Sequence, residues 1–561
     1  MYKNMPIGRD DFADVRQGYY YVDKTQFLAD FLHNHAQVTL FTRPRRFGKT
    51  MTLSMLRYFM DIEGAEQNRQ LFTGLAIAQD AEAMALQGTR PVLALTLKGW
   101  TADTWEMMQE VIVDQLWRVC DAQSSHLLDT ELTQPERDLF NRLRSGTASL
   151  IEYRSSLAFV MQLMSKHYGQ KAVLLLDEYD VPIQSAWEHG YYRQAVGFFR
   201  ELLSSALKSN PVLDFAVLTG VLRIAKENIF SSLNNLEVDS VLQQSYPEAF
   251  GFTPEDIQQM TKDFGCEEKM PELQKWYDGY RFAGKEVYNP WSVVNYFHHG
   301  CKPRAYWVNT SGNAILGEML CHAWSSTLDE LVGVMQGGSV HAMVEEGFIY
   351  NEIYRNQDAL YTMLVTTGYF TTVNVEEGEL GVAADLVLPN REIRSLFRRE
   401  VLERYRNETQ GLKVDQLMQA FTRGDIATVR EGLGRYLEML TSSFDAAKGH
   451  EAFYHGFVLG MTATLLDDYH IRSNHESGYG RYDIAAIPRR AGLSGIIVEC
   501  KTAERTDELI AKAEEALAQI TERDYDAELR AQGVPNILHY GIAFCGKKLQ
   551  VAFAQVELER K

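Results

Sequence analysis

Cysteine is sparse: six residues in 561 (Cys120, Cys266, Cys301, Cys321, Cys500, Cys545), none in a C-x-x-C pair. That spacing gives neither a zinc ribbon nor a disulfide framework, and a reducing cytoplasm is the expected setting. Long apolar runs are also missing. Stretches such as 172–176 fall far short of the roughly 20 residues that span a bilayer, and the start MYKNMPIGRDDF has no signal-peptide core, so no membrane or secreted protein is expected. Positive charge is in deficit, with 56 Lys and Arg against 75 Asp and Glu and a net charge of -19. This excludes a surface coated for sequence-independent nucleic-acid binding and leaves room only for a local basic site. No repeat at a period of about 20–50 residues and no low-complexity tract interrupts the chain.

What remains is ordinary globular composition, 45% hydrophobic and 23% charged, long enough for about three to five packing units. The charge is uneven: residues 1–60 carry nine basic and five acidic side chains. Within that basic stretch, 37–42 (QVTLFT) reads as a strand and 49–60 (KTMTLSMLRYFM) as a helix, with a short loop between them. Further strand-like runs at 91–97, 172–176 and 215–218 alternate with helical patterns, which implies a parallel sheet covered by helices. From about 247 to 300 the text changes to short helices and aromatic turns, suiting a lid or helical subdomain. Residues 310–400 suit a small helix-plus-wing module, 391–443 a charged connecting helical region.

The loop Arg43-Pro44-Arg45-Arg46-Phe47-Gly48-Lys49-Thr50 keeps the end of the pattern G-x-x-x-x-G-K-[ST] and places Arg43 at its first glycine. In that context backbone N–H groups and the helix start face a phosphate, Lys49 reaches the outer phosphates, and Thr50 offers a hydroxyl to Mg²⁺. A basic turn capping a helix is the alternative. The run AVLLL ends in Asp177 and Glu178, the form of a magnesium-binding strand end, with Asp177 on the metal and Glu178 set to activate the attacking water. Thr219, ending a further strand, is a candidate γ-phosphate sensor or a simple strand cap, and Arg223 follows within one turn.

These stretches, with YVDKT at 21–25, LDEYD at 176–180, TGVLRIAK at 219–226 and WYDGY at 276–280, resemble the bacterial AAA-ATPase-like proteins that carry a C-terminal PD-(D/E)XK nuclease domain. The resemblance spans nearly the whole chain. It implies ATP as ligand, with Arg43, Arg46, Phe47, Gly48, Lys49, Thr50, Asp177, Thr219 and Arg223 around it. The arginine in the loop looks like this family's own version, its charge adding an attraction to phosphate.

At the other end, 481–487 and 496–501 read as two strands of a hairpin. Near-symmetric pairing brings Asp483 opposite Glu499, and Lys501, two residues on, emerges on the face of Glu499. Two carboxylates can hold Mg²⁺, with Mn²⁺ as an alternative, between a phosphodiester oxygen and a water, while the lysine steadies developing charge. D-x15-E-x-K is the PD-(D/E)XK signature. Glu451 resembles the acidic residue this superfamily adds as a further metal ligand, and Gln519 and Tyr525 resemble its supporting glutamine and tyrosine. His455, one turn after Glu451, suits a core position better than the site. A solvated hairpin with a cross-strand ion pair is the plain alternative.

The expectation is therefore an α/β multidomain protein: a P-loop NTPase parallel sheet over 1–245, a helical lid, winged-helix-like and connecting helical region over 246–445, and an α/β restriction-endonuclease-like domain over 446–561. Its function reads as ATP binding and hydrolysis coupled to a metal-dependent nuclease, catalytic through Glu178, Asp483, Glu499 and Lys501. The metal ligands would be Thr50, Asp177, Glu451, Asp483 and Glu499. A nucleotide-gated switch with an inactive nuclease fold is the alternative. Nucleic acid is the candidate partner, an oligomer is compatible, and a membrane is not expected.

Overall fold

Apolar strand runs alternating with amphipathic helices bury both sheet faces when the sheet is parallel and clad by helices. In the computed structural model, which describes residues 4–123, 127, 130–224, 230, 234–243, 245–307, 330–331, 333–345, 347, 356–379, 381–397, 414–440 and 451–557, the chain forms such a sheet. Its strands are β1 (Val38–Thr42), β2 (Val92–Thr96), β3 (Ala172–Asp177), β4 (Leu213–Gly220) and β5 (Leu236–Asp239), in the order β2-β3-β4-β1-β5 with every pair parallel. β1 and β3 are buried at every position, as central parallel strands require. Helix α1 (Thr25–Asn34) precedes β1 and α2 (Lys49–Met60) follows it.

Past the sheet, α3 (Pro254–Asp263), the hairpin β6 (Tyr280–Phe282) and β7 (Lys285–Val287), and α4 (Pro290–His298) occupy the stretch read as a lid. Ile257 and Met260 of α3, Leu273 and Tyr277 of the helix Met270–Tyr277 between them, and Val293 and Tyr296 of α4 share one core. Thr253 and Asp256 form a reciprocal cap with Pro254 in the first turn of α3, and Asn289 caps α4 through Ser292 N at 3.2 Å.

The backbone divides into two compact units, 1–307 with 342–392, and 308–341 with 393–561. The region 246–445 is apportioned between them. Where the chain re-enters the first unit it forms β8 (Val340–Val344), α5 (Gln357–Thr366) and the hairpin of β9 (Thr371–Gly378) with β10 (Gly381–Val387), β8 lying beside β10. The rest of the expected winged module, at 310–329, 332, 346, 348–355, 380 and 398–400, lies outside the described residues, as do 398–413 and 441–443 of the connecting region.

Glu392 closes this first unit from inside. It is 1% exposed, yet both carboxylate oxygens are engaged, Oε2 by Ser292 Oγ at 2.7 Å and Oε1 by Trp307 N at 2.8 Å. Burial raises its carboxyl from 4.5 to about 7. The unfolded chain loses this proton near pH 4.5 and the folded chain keeps it to about 7. The proton's contribution is therefore full below pH 4.5, declines through that window and is absent above it. The gap corresponds to roughly 3 kcal/mol. Glu392→Gln should flatten the decline of stability between pH 5 and 7, measured by urea denaturation; an unchanged slope would assign the decline elsewhere.

In the second unit, α6 (Val414–Arg423) and α7 (Ile426–Leu440) lead to α8 (Glu451–Met461) and a five-stranded sheet. Its strands, β11 (Tyr469–Ser477), β12 (Gly480–Pro488), β13 (Gly495–Thr502), β14 (Asn536–Cys545) and β15 (Lys548–Glu557), lie in sequence order. All pairs are antiparallel except β13 with β14, which α9 (Leu509–Glu522) connects. α9 presses directly on β14 at Gly541, where a Cβ would stand 2.3 Å from Ala513 O, so no larger residue fits. Tyr540 donates its hydroxyl to Phe421 O at 2.7 Å, fixing α6 against β14. Among the described residues no helix is long and apolar enough to cross a membrane.

Candidate functional site

In the first unit the chemistry gathers at the C-terminal ends of three adjacent parallel strands, where open α/β sheets take ligands. β1 runs out at Thr42, and Arg43 N still bonds to Gly220 O at 3.2 Å, tying the loop to β4. Gly48 has φ +90 and precedes α2 without any side-chain cap, leaving the helix start open to an anion. Lys49, 7% exposed, folds back so that Nζ donates to Arg43 O at 2.8 Å and Pro44 O at 2.9 Å. Burial lowers its ammonium to about 8, against the pull of Asp177, Asp180 and Glu178.

Asp177 ends β3 between two hydroxyls. Thr50 Oγ1 donates to its Oδ2 at 2.6 Å and Thr219 Oγ1 to its Oδ1 at 2.5 Å. Residues 127 positions upstream and 42 downstream thus meet on one carboxylate, because β3 and β1 both flank β4. Glu178 takes a left-handed backbone (φ +54) and is half-buried, its carboxyl raised first by burial and then by Asp177. Hard oxygens and hydroxyls beside a lysine suit Mg²⁺ and phosphate.

Arg43 takes no part in this cluster. Its guanidinium, fully buried, lies beneath the loop, where it donates to Asp239 Oδ1, to Asp239 O at 2.8 Å and to Tyr246 O at 3.2 Å, over the rings of Phe250 and Phe282. The expected attraction to phosphate is corrected on physical grounds: a desolvated guanidinium requires its counterion, and Asp239 at the end of β5 holds it. Arg43→Met should cost about 3–5 kcal/mol of stability by leaving Asp239 buried without its guanidinium, and adding Asp239→Asn should restore most of it. Thermal or urea unfolding reads both. Phe47 and Arg46 pack against other elements. Phe47 is buried against Tyr280 and Phe282, and Arg46 lies 3.8 Å from the centre of the Trp291 ring. They anchor the loop to β6 and α4. Arg223 is half-buried just past β4, and Ala225 and Lys226 lie outside the described residues.

Two residues of the acid turn carry a role that spacing did not assign. Asp180, 3% exposed, accepts from Val221 N at 2.8 Å and Leu222 N at 3.0 Å, while the Tyr179 hydroxyl donates to Leu222 O at 2.6 Å and accepts from Ile224 N at 3.0 Å. The turn after Asp177 therefore holds the turn after Thr219. The available signal was an acid and a tyrosine, both in the quoted LDEYD, following a strand end.

In the second unit β12 pairs with β13 so that Ile484 faces Val498 and Ala486 faces Ile496, and Asp483 and Glu499 stand next on the two strands, one step past the paired residues. Cys500 N donates to Asp483 Oδ2 at 2.6 Å and Asp483 N to Glu499 Oε2 at 3.4 Å. Glu499 is 6% exposed; Gln519 Nε2 on α9 donates to its Oε1 at 2.5 Å and lies 3.0 Å from the Tyr525 hydroxyl oxygen. Lys501 Nζ lies 3.3 Å from Glu515 Oε1. His455 is buried on α8, its Nε2 3.1 Å from Asp483 O and 3.0 Å from Ser473 Oγ, so it braces the backbone of Asp483. Glu451 opens α8, but its side chain lies outside the described residues. Among the described residues no group of three His, Cys, Asp or Glu is placed to hold a metal. Asp483 and Glu499 fit a divalent cation as two hard oxygen donors.

Comparison with known proteins bears on both units. Residues 6–230 match the family model described as predicted AAA-ATPase, and residues 449–554 match that of the PD-(D/E)XK nuclease superfamily. Along its length the chain is 27% identical over 552 residues, 95% of each chain, to an uncharacterized protein in the vnfD 5′ region of Azotobacter chroococcum mcd 1.

Proposed function

From a chain that joins an AAA-ATPase-like domain to a PD-(D/E)XK nuclease superfamily domain, we propose a cytoplasmic protein that binds and hydrolyses ATP at the first and cleaves nucleic-acid phosphodiester bonds at the second. One observation carries the reading: Asp177 is gripped by the hydroxyls of Thr50 and Thr219 beside Lys49 and an uncapped helix start. Lys49 exchanges its two loop carbonyls for phosphate oxygens, and the N–H groups opening α2 cradle the remainder. Glu178 orients the attacking water and accepts its proton, with Thr219 and Arg223 toward the terminal phosphate. Asp483 and Glu499, with Glu451, form the divalent-cation site of the second domain, and Thr50 and Asp177 that of the first. A bound Mg²⁺ or Mn²⁺ supplies Lewis acidity toward the phosphoryl oxygens at each. Lys501 stabilises the charge that develops on the cleaved phosphate, and Gln519 keeps Glu499 in register. ATP occupancy governs cleavage.

The test is cleavage of single- and double-stranded DNA and RNA by the full chain, with and without ATP, in Mg²⁺ or Mn²⁺. Metal-dependent cleavage that changes with ATP is expected; no cleavage of any substrate overturns the nuclease half. A second reading, a nucleotide-gated switch with an inactive nuclease fold, is favoured by the pairing of Lys501 Nζ with Glu515 Oε1 at 3.3 Å, which engages the proposed catalytic ammonium. Binding of ATP without cleavage selects it.

A further inference from the structure

Helices α3 and α4 end alike. Gly265 (φ +61) and Gly300 (φ +69) adopt the left-handed conformation just past each helix, and each donates its N–H three residues back, to Lys262 O and Phe297 O, both at 3.1 Å. The residues that follow donate five back, Cys266 N to Thr261 O and Cys301 N to Tyr296 O, both at 2.9 Å. This is the double bond pattern of a Schellman stop, which turns the next side chain inward against the helix. Both inward-turned side chains here are cysteines, and they meet: Cys301 Sγ donates to Cys266 Sγ at 3.4 Å. Both thiols are free. Cys266 is 5% exposed within the core of α3 and α4, and Cys301 is half-buried. Burial pushes the Cys266 thiol up to about 12, so it is a poor first nucleophile.

We propose that Cys266 and Cys301 form a reversible dithiol–disulfide site, oxidised by a peroxide. The half-exposed Cys301 reacts first: its sulfur attacks a peroxide oxygen, the O–O bond breaks, and the leaving hydroxide takes the thiol proton as water, leaving a sulfenic acid. Cys266 sulfur then attacks Cys301 sulfur. The S–S bond forms, the S–O bond breaks, and the Cys266 proton departs with the hydroxide as a second water. Two thiols have lost two electrons and two protons, and the peroxide has gained both. The sulfurs must approach from 3.4 Å to about 2.05 Å, a movement that two helix ends in one core can absorb. The bond would fasten the end of α3 to that of α4, whose first turn carries the Trp291 ring beneath Arg46. Neither ATP nor a metal enters this chemistry, so it stands apart from the proposed activities.

The experiment treats the full chain with hydrogen peroxide, alkylates the remaining thiols in denaturant, and maps peptides by mass spectrometry. A peptide pair joined through Cys266 and Cys301 is expected before modification of buried Cys120 or Cys500, two hydrogens lighter than the thiols and released by dithiothreitol. Hydrogen exchange in the last turns of α3 and α4 should slow on oxidation. Cys301→Ser should abolish the joined pair, with circular dichroism reporting the fold. In Cys266→Ala, Cys301 should instead accumulate as a sulfenic acid trapped by dimedone. If both thiols stay open to alkylation after peroxide, or either joins a different cysteine, the proposal is overturned.

Discussion

Lys49→Ala is expected to weaken ATP binding by about 10–100-fold, the worth of a charged hydrogen bond, and to lower turnover by a further 10²–10³-fold or so. The fold should survive the change. In the free protein Nζ donates to the carbonyls of Arg43 and Pro44, and its ammonium is already disfavoured by burial. Removing it leaves two carbonyls without a donor and relieves a buried charge, effects of opposite sign. Loss of binding without loss of stability thus reports on phosphate and not on packing. Glu178→Gln should behave differently, retaining ATP while hydrolysis falls about 10²–10⁴-fold, since it removes a proton acceptor and keeps the side chain's size. Fluorescent-nucleotide titration and phosphate release separate the two. Equal binding by Lys49→Ala and wild type would remove Lys49 from the phosphate site.

Lys501→Ala is expected to reduce nucleic-acid cleavage by about 10²–10³-fold. Its pairing with Glu515 is a partly exposed bridge, worth at most about 1 kcal/mol, so the variant should remain folded. Glu499→Gln keeps the shape and, by an amide flip, a partner for Gln519, yet loses the negative charge a divalent cation requires. It should abolish cleavage and weaken metal affinity, read by calorimetry with Mn²⁺ alone. The two variants therefore part company: Lys501→Ala should still bind the metal. Cleavage unchanged in both would mean that Asp483, Glu499 and Lys501 form a structural hairpin only.

The features legible from the sequence were those encoded locally or by symmetry. The strand, loop and helix around Lys49 follow from apolar periodicity within 37–60, and the proximity of Asp483 to Glu499 follows from the midpoint of a short hairpin. Gln519 was reached by resemblance and lies on the helix that crosses from β13 to β14, where it meets Glu499. Arg43 shows what spacing cannot supply. Its counterion, Asp239, lies 196 residues away on the edge strand, and only the sheet order β4-β1-β5 brings the two together. The same holds for Phe47 and Arg46, whose aromatic partners belong to a module some 230 residues later. Cysteine counting missed Cys266 and Cys301 because their proximity comes from two helix stops in one core and from no sequence motif. The division into units was illegible for a related reason: composition does not mark a chain that leaves a unit and returns to it.

That return has a consequence for how the protein is made. A ribosome releases the five sheet strands of the first unit by residue 239, but Glu392, which receives the N–H of Trp307 and the hydroxyl of Ser292, emerges far later. At translation rates of about 5–20 residues per second, the segment between them keeps the nascent unit incomplete for about 8–30 seconds. During that time the apolar partners of 342–392 are uncovered, so a message truncated near codon 307 should yield a product that chaperones hold, and the full-length message should not.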